Sequence, residues 1–376
     1  MSPLSKFPIW KGHLILFSAF LTSPLHAQPA DVSTDLTPFL ADGKIPGLAA
    51  AAILDGKLIA SGASGVRKHG DPTPVTVDDQ FHIGSCTKSM TATLAAILVA
   101  EGKIKWQSTV AGIFPQIAIH TDFKNATLLE LCSNSGGAAH DVPPDLWKNL
   151  TDHPQESESA QRDKLLRGIL TKAPDYAPGT KNVYSNAGFS IAGAMLEKVS
   201  GKSYRQLIHD RLFKPMHMTS AGFGAAGTAG KIDQPYGHVL RNGAIIPVTP
   251  GSIADNPSAI TPAGRVHLSV SDFAKYASLH LGTTRLPGLD AAALDFLHTP
   301  VAPSKDYACG WVIVSRPWAG GTALTHNGTN TMNYAVMWLA PSKKFAAVAA
   351  CNIGGDAGAK ACDDAVSLLI RKFLSQ

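Results

Sequence analysis

Charge is scarce in this chain. Asp, Glu, Lys and Arg make up 16% of its 376 residues, against 45% hydrophobic ones. That balance belongs to a well-packed globular protein and excludes a disordered one. The formal net charge is +5, but no long run of Lys or Arg carries it, which argues against a dedicated nucleic-acid surface. No apolar stretch reaches the ~20 residues that span a bilayer. The fourteen histidines contain no His-Glu-x-x-His pair, so the ligand spacing of a zinc hydrolase is missing. Gly188-Phe189-Ser190-Ile191-Ala192 misses the Gly-x-Ser-x-Gly turn of another hydrolase fold at its last position. Internal repeats and low-complexity segments are absent.

Cysteine is also rare. Five residues (Cys86, Cys132, Cys309, Cys351 and Cys362) leave at least one thiol unpaired. One disulfide and a set of small buried hydrophobes are equally compatible with this spacing.

What is present begins with a targeting segment over residues 1–27. Lys6 and Lys11 precede the apolar run Leu14–Leu21, and Leu25-His26-Ala27 offers a small residue for cleavage before Gln28. An exported, periplasmic or secreted protein is the expectation, with the folded domain over 28–376. Asp55-Gly56 lies between the apolar stretches 48–54 and 57–66, a strong hairpin signal. Arg241-Asn242-Gly243 is a second. Near the C-terminus, 307–314, 333–340 and 345–351 read as strands, followed by a helix over 359–374. Strands at both ends with helical sequence between them predict an α/β fold of the α+β kind. Its antiparallel sheet is built from both termini and flanked by helices. The sheet lobe is expected over about 28–84 and 300–376, and an inserted, mostly helical lobe over about 85–299.

The middle carries the chemistry. Residues 87–101 read as a helix, with Met90, Leu94, Ile97 and Leu98 on one face and Gly102 as the stop. Ser85 stands at its start and Lys88 three residues on, a rise of about 4.5 Å, so the amine reaches the hydroxyl. Serine needs an adjacent base to become a nucleophile, and a lysine whose pKa is lowered by burial can be that base. Cys86 is an alternative nucleophile, but a helix turns it to a different face. Tyr184 and Asn186 lie two apart where a loop enters a helix over 187–200. Tyr can relay a proton and Asn can hold an amide, although Ser185 or Asn186 reads equally well as a plain helix cap. His326-Asn327-Gly328-Thr329 ends a strand, where a glycine lets backbone approach a ligand and an N–H can face an oxyanion. Thr127–Gly137 reads as a helix ending in a glycine stop.

Ser85/Lys88, Tyr184/Asn186 and His326/Gly328, in that order, resemble the Ser-x-x-Lys, Tyr-x-Asn and Lys/His-x-Gly motifs of the serine β-lactamase and penicillin-binding-protein superfamily. Among its branches, the class C β-lactamase, D-alanyl-D-alanine carboxypeptidase and carboxylesterase group is the most similar. LLELCSNSGG, PGTKNVYSNAGFSIAGAMLEKVSGKSY, LFKPMHM, TPAGRVHLSVSDFAKY and YACGW match as well, so the resemblance covers nearly all of the mature chain. It implies a β-lactamase/transpeptidase-like fold and acyl-enzyme hydrolysis of amide or ester bonds. Ser85 would be the nucleophile, and Lys88 or Tyr184 the base. Asn186 would contact the substrate amide, and the N–H groups of Ser85 and Thr329 would form the oxyanion hole. No cofactor or metal is implied. The partner would be a small-molecule or peptide substrate: peptidoglycan stem peptide, β-lactam or ester. Alternatives are an esterase on the same fold and a catalytically silent homologue that binds cell-wall peptide. Two departures stand out. The third motif has His326 where β-lactamases of this branch usually carry Lys, and TNTMNY after Gly328 lacks their extra glycines. The resemblance puts the substrate carboxylate opposite His326. With an ordinary pKa near 6.5, that histidine would change charge in the physiological range.

Overall fold

The Asp55-Gly56 hairpin turns with both residues at positive φ (48° and 76°), the two-residue geometry that matches the twist of its strands. A computed structural model describes residues 28–251 and 254–374; the targeting segment read over 1–27 lies outside them. The hairpin joins β2 (Gly47–Leu54) to β3 (Lys57–Gly65), and β1 (Ala30–Asp31) lies beside β3. The C-terminal strands are β4 (Val312–Arg316), β5 (Gly321–Thr329), β6 (Tyr334–Ala340) and β7 (Phe345–Cys351). They assemble in the order β1-β3-β2-β7-β6-β5-β4. Both termini do build this sheet, through the antiparallel β2–β7 pairing from Leu54↔Phe345 to Leu48↔Cys351. It is mixed, however, because β1 runs parallel to β3.

β2 and β7 are buried on both faces, which explains why they read GLAAAAIL and FAAVAAC rather than alternating polar and apolar. Ala49, Ala51 and Val348 face the larger core, whereas Leu48, Ala50 and Ala347 face a second one. The C-terminal helix Gly355–Phe373 covers that second face with Ala361, Ala365, Val366 and Leu369. On the opposite face lies the helix Val270–His280, packed on β2, β3 and β7. This helix comes from the stretch expected in a separate helical lobe, so the division at about residue 300 does not hold for it.

Three local expectations change. The strand expected over 307–314 starts only at Val312, because Ala308–Trp311 form a turn pressed on the central helix. A Cβ on Gly310 would lie 2.6 Å from Ser89 Cα. The helix expected to run to a glycine stop covers only Leu128–Cys132, behind a Thr127/Glu130 capping box, and Asn134 (φ 60°) turns the chain instead. Finally, the central helix Thr87–Ala100 has no solvent face over most of its length: Thr87–Leu98 are all buried. Its hydroxyls are satisfied locally or by neighbours, as in Thr91 Oγ1 donating to the Pro262 carbonyl at 2.6 Å. The five cysteines are free and buried. No helix among the described residues is long and apolar enough to cross a membrane.

Candidate active site

Gly84–Cys86 form a single 3₁₀ turn that leads into the central helix. Gly84 is at φ +49°, and this turn packs backbone to backbone on the end of β5. A Cβ on Gly84 would lie 2.3 Å from Thr329 N; one on Gly328 would lie 2.3 Å from Ser85 N and 2.1 Å from the Ile83 carbonyl. No side chain fits between them. This close approach brings Ser85 and Thr329, the two expected amide donors, to one place.

One helical turn beyond Ser85, the Lys88 side chain is 0% exposed. Three oxygens surround its Nζ: Asn186 Oδ1 at 2.7 Å, the Ala263 carbonyl at 2.8 Å and Ser85 Oγ at 3.1 Å. The first two can only accept. A neutral amine has two N–H bonds and one lone pair, so with both N–H bonds given to those acceptors the lone pair faces Ser85. Burial pushes the amine well below the usual lysine range, with the neighbouring Cys86 thiol opposing. The two features agree: the neutral form is the one this dry setting favours, and it points its base at the serine.

Tyr184 donates its phenol to Ser85 Oγ at 2.5 Å, and its ring lies 4.5 Å from Lys88 Nζ. Here burial acts the other way and raises the phenol pKa, with the hydrogen bond to Ser85 opposing. So Tyr184 holds its proton where Lys88 gives its own up. Both sequence readings of the 184–186 stretch apply, to different residues. Ser185 caps the helix Asn186–Ser200, accepting from Gly188 N at 3.0 Å, and this leaves the Asn186 side chain free to meet Lys88. Asn134 positions the stretch from below, accepting from Ser185 N through Oδ1 (3.0 Å) and from Val183 N through its carbonyl (2.8 Å).

The Cys86 thiol is fully buried and donates to the His326 carbonyl rather than facing Lys88 Nζ, whose hydrogen-bond partners are Ser85, Asn186 and Ala263. It is not placed as a nucleophile. His326 corrects an expectation. It is 4% exposed and its Nδ1 meets the Asn327 carbonyl at 2.6 Å, so Nδ1 carries the hydrogen. Nε2 is left as an acceptor for Tyr307 OH at 3.3 Å. Burial holds the ring at a pKa of about 4, with Lys88 acting in the same sense and the Asn327 carbonyl opposing. The ring is neutral across the physiological range, so it offers no cation to a carboxylate.

Sequence reasoning passed over the Ala263 carbonyl, Asn134 and Tyr307 as individual residues. Each sits in a stretch that carries the family resemblance (TPAG, SNSGG, YACGW), which is the signal that points to it. Ser85, Lys88, Tyr184 and Asn186 converge within hydrogen-bonding distance; His326 is adjacent but turned to Tyr307.

The β-lactamase family pattern matches residues 32–370. The chain belongs to the β-lactamase family. It is 28% identical over 224 residues to a β-lactamase of Escherichia coli K12, covering 59% of this chain and about half (54%) of that relative. To penicillin-binding protein 4 of Amycolatopsis lactamdurans it is 26% identical over 328 residues, with 82% and 81% covered. Among solved structures, an octameric penicillin-binding protein homologue from Pyrococcus abyssi superposes with a TM-score of 0.76 at 23% identity, covering 90% of this chain and 76% of that one. A D-stereospecific amidohydrolase from a Streptomyces species gives 0.71 at 23%, with 89% and 96% covered. These structures share the fold. As a β-lactamase-family member, the protein has its chemistry sought at Ser85.

Proposed function

We propose that this protein is an exported serine hydrolase that cleaves amide or ester bonds through an acyl-enzyme on Ser85. The carrying observation is the Lys88 amine, buried among two pure acceptors and one hydroxyl. Ser85 Oγ attacks the substrate carbonyl carbon while its proton passes to Lys88 Nζ. The resulting oxyanion lies against the N–H groups of Ser85 and Thr329, and Asn186 supports the substrate amide. On collapse the bond to the leaving atom breaks, and the proton returns to that atom from Lys88, directly or through the Tyr184 hydroxyl. Water then repeats the sequence on the acyl-serine, freeing the acid. D-amino-acid peptides and β-lactams are supported by the names of the relatives. A carboxylester or neutral amide is supported by the uncharged His326.

A fluorophosphonate should add its mass to the peptide containing Ser85, and Ser85→Ala should abolish both labelling and turnover in a folded protein. Labelling that persists on Cys86 or Ser190 sinks the assignment. A folded wild-type protein that takes up no label supports the silent, peptide-binding reading instead.

A further inference from the structure

The Gly84 N–H, one residue before Ser85, is held by a side chain. His82 ends the short strand Phe81–His82, which pairs with Val266–Leu268, and its Nδ1 accepts from Gly84 N at 3.1 Å. On the far side of the ring, Nε2 stands 3.0 Å from Asp255 Oδ1 in a bent contact. Asp255 Oδ2 in turn accepts from Arg265 Nε at 2.8 Å. All three side chains are buried or nearly so. We propose that the His82–Asp255–Arg265 chain positions the nucleophile, with His82 as a positioning residue that acts on Ser85 through the Gly84 peptide. This rests on Ser85 being the acylated residue.

The tautomer follows from the donors. A backbone N–H can only donate, so the Nδ1 that meets Gly84 carries a lone pair and the ring hydrogen sits on Nε2, facing the carboxylate. A carboxylate can only accept, so Asp255 favours the N–H on the side of the ring it faces. Asn256 N, at 2.7 Å, and Arg265 pin that carboxylate. Gly84 is at φ +49° with the Thr329 backbone pressed against it, so the direction of its N–H decides where Ser85 stands. Its carbonyl is fixed too: Thr87 Oγ1 donates to it at 2.7 Å and accepts from Val266 N at 3.2 Å. The other end of the chain reaches the base. Arg265 lies two residues beyond Ala263, whose carbonyl accepts from Lys88 Nζ, and its Nη1 donates to Thr261 Oγ1 at 3.4 Å, which braces Thr261–Gly264. One carboxylate thus ties the turn of the nucleophile to the segment that orients its base, and a misplacement of about 1 Å between such groups can cost about 10²-fold.

The test separates the two sides of the ring. In His82→Asn the side-chain oxygen falls near the place of Nδ1 and still accepts from Gly84. In His82→Gln the amide reaches towards Asp255 and leaves the Gly84 N–H without its acceptor. Asp255→Asn acts on the tautomer: with its oxygen kept by Arg265, its amide N–H faces Nε2 and drives the ring hydrogen to Nδ1, against the Gly84 N–H. The maximal rate of fluorophosphonate labelling at Ser85, kcat and KM for a chromogenic ester, and a thermal melt are measured on the same samples of mature protein. His82→Gln and Asp255→Asn should lower the labelling rate and kcat by about 10–10²-fold with KM little changed, and His82→Asn should recover most of that loss. A melt lowered in all three variants while labelling rate and kcat stay at wild type would show a merely structural role and overturn the inference. Equal rate losses in His82→Asn and His82→Gln would overturn it as well. Nitrogen NMR of histidine-labelled wild type should place the His82 hydrogen on Nε2; hydrogen on Nδ1 refutes the chain, and this arm decides if the variants do not fold. Wild type that takes no label at Ser85 strikes instead at the acyl-enzyme reading itself.

Discussion

Gly328→Ala is the substitution whose cost follows most directly from the geometry. The added Cβ would stand 2.1 Å from the Ile83 carbonyl, 2.3 Å from Ser85 N and 2.8 Å from Cys86 N. All three are backbone atoms, so no side chain can swing aside. Because ordinary contact begins near 3.4 Å, β5 and the Ser85 turn must part by about 1 Å, a displacement that can cost 10²-fold when it misplaces reacting groups. The parting separates Thr329 N–H from Ser85 N–H. Losing one oxyanion donor costs about 10²–10³ in kcat, or about 2.7–4 kcal/mol. Overpacking should also remove about 1–3 kcal/mol of stability.

Gly264→Ala is the matched control. Its Cβ would approach the same turn, but at 3.5 Å from Gly84 C and 3.7 Å from Gly84 O, which is ordinary contact. It should keep turnover and gain slightly in stability, since alanine narrows the unfolded ensemble. The assay is kcat for a chromogenic ester, normalised by titrating labelled Ser85, with a thermal melt on the same samples. Gly328→Ala with wild-type kcat would refute the reasoning, because the oxyanion site could then not depend on this contact.

Two further outcomes follow from the Lys88–Tyr184 pair. Tyr184→Phe removes the donor to Ser85 Oγ and should slow acylation, deacylation or both by about 10²–10⁴-fold with binding retained; wild-type rates would make Tyr184 a packing residue. Lys88→Met should abolish acylation and also change the pH dependence of stability. An unfolded lysine titrates near 10.5 and the folded Lys88 well below it. Between those two values the unfolded chain binds the extra proton, so wild-type stability climbs with pH relative to Lys88→Met, by up to about 1.4 kcal/mol per pH unit. A flat difference in chemical-denaturation midpoints would mean that Lys88 is charged in the folded protein.

The legible parts were those with short-range causes. Asp55-Gly56 and Asn242-Gly243 dictate hairpins through their own φ angles, and both formed. Ser85 and Lys88 meet because a helix spaces them. What lay out of reach was supplied from a distance. The third partner of Lys88 is a backbone carbonyl 175 positions away, and a carbonyl has no residue type by which to find it. His326 misled for a related reason. Its identity suggested a group that titrates near neutrality, but Tyr307, 19 positions earlier, and burial decide otherwise.

The central helix is the instructive case. Met90, Leu94, Ile97 and Leu98 do share a face, and one apolar face ordinarily means that the opposite face meets water. Here that opposite face carries Ser89, Ala92 and Ala96, and it is buried as well. Ser89 Oγ bonds the Cys86 carbonyl, and Tyr276 OH reaches Ser89 Oγ at 3.0 Å. Small hydroxyl residues that satisfy themselves on their own helix can be buried at little cost, and they let neighbouring backbones come close. Burial on every side is also what deprives Lys88 of water. The TKSMTAT sequence reads as half-polar because the site needs a buried amine, and the fold surrounds that amine with hydroxyls, carbonyls and alanines rather than with solvent.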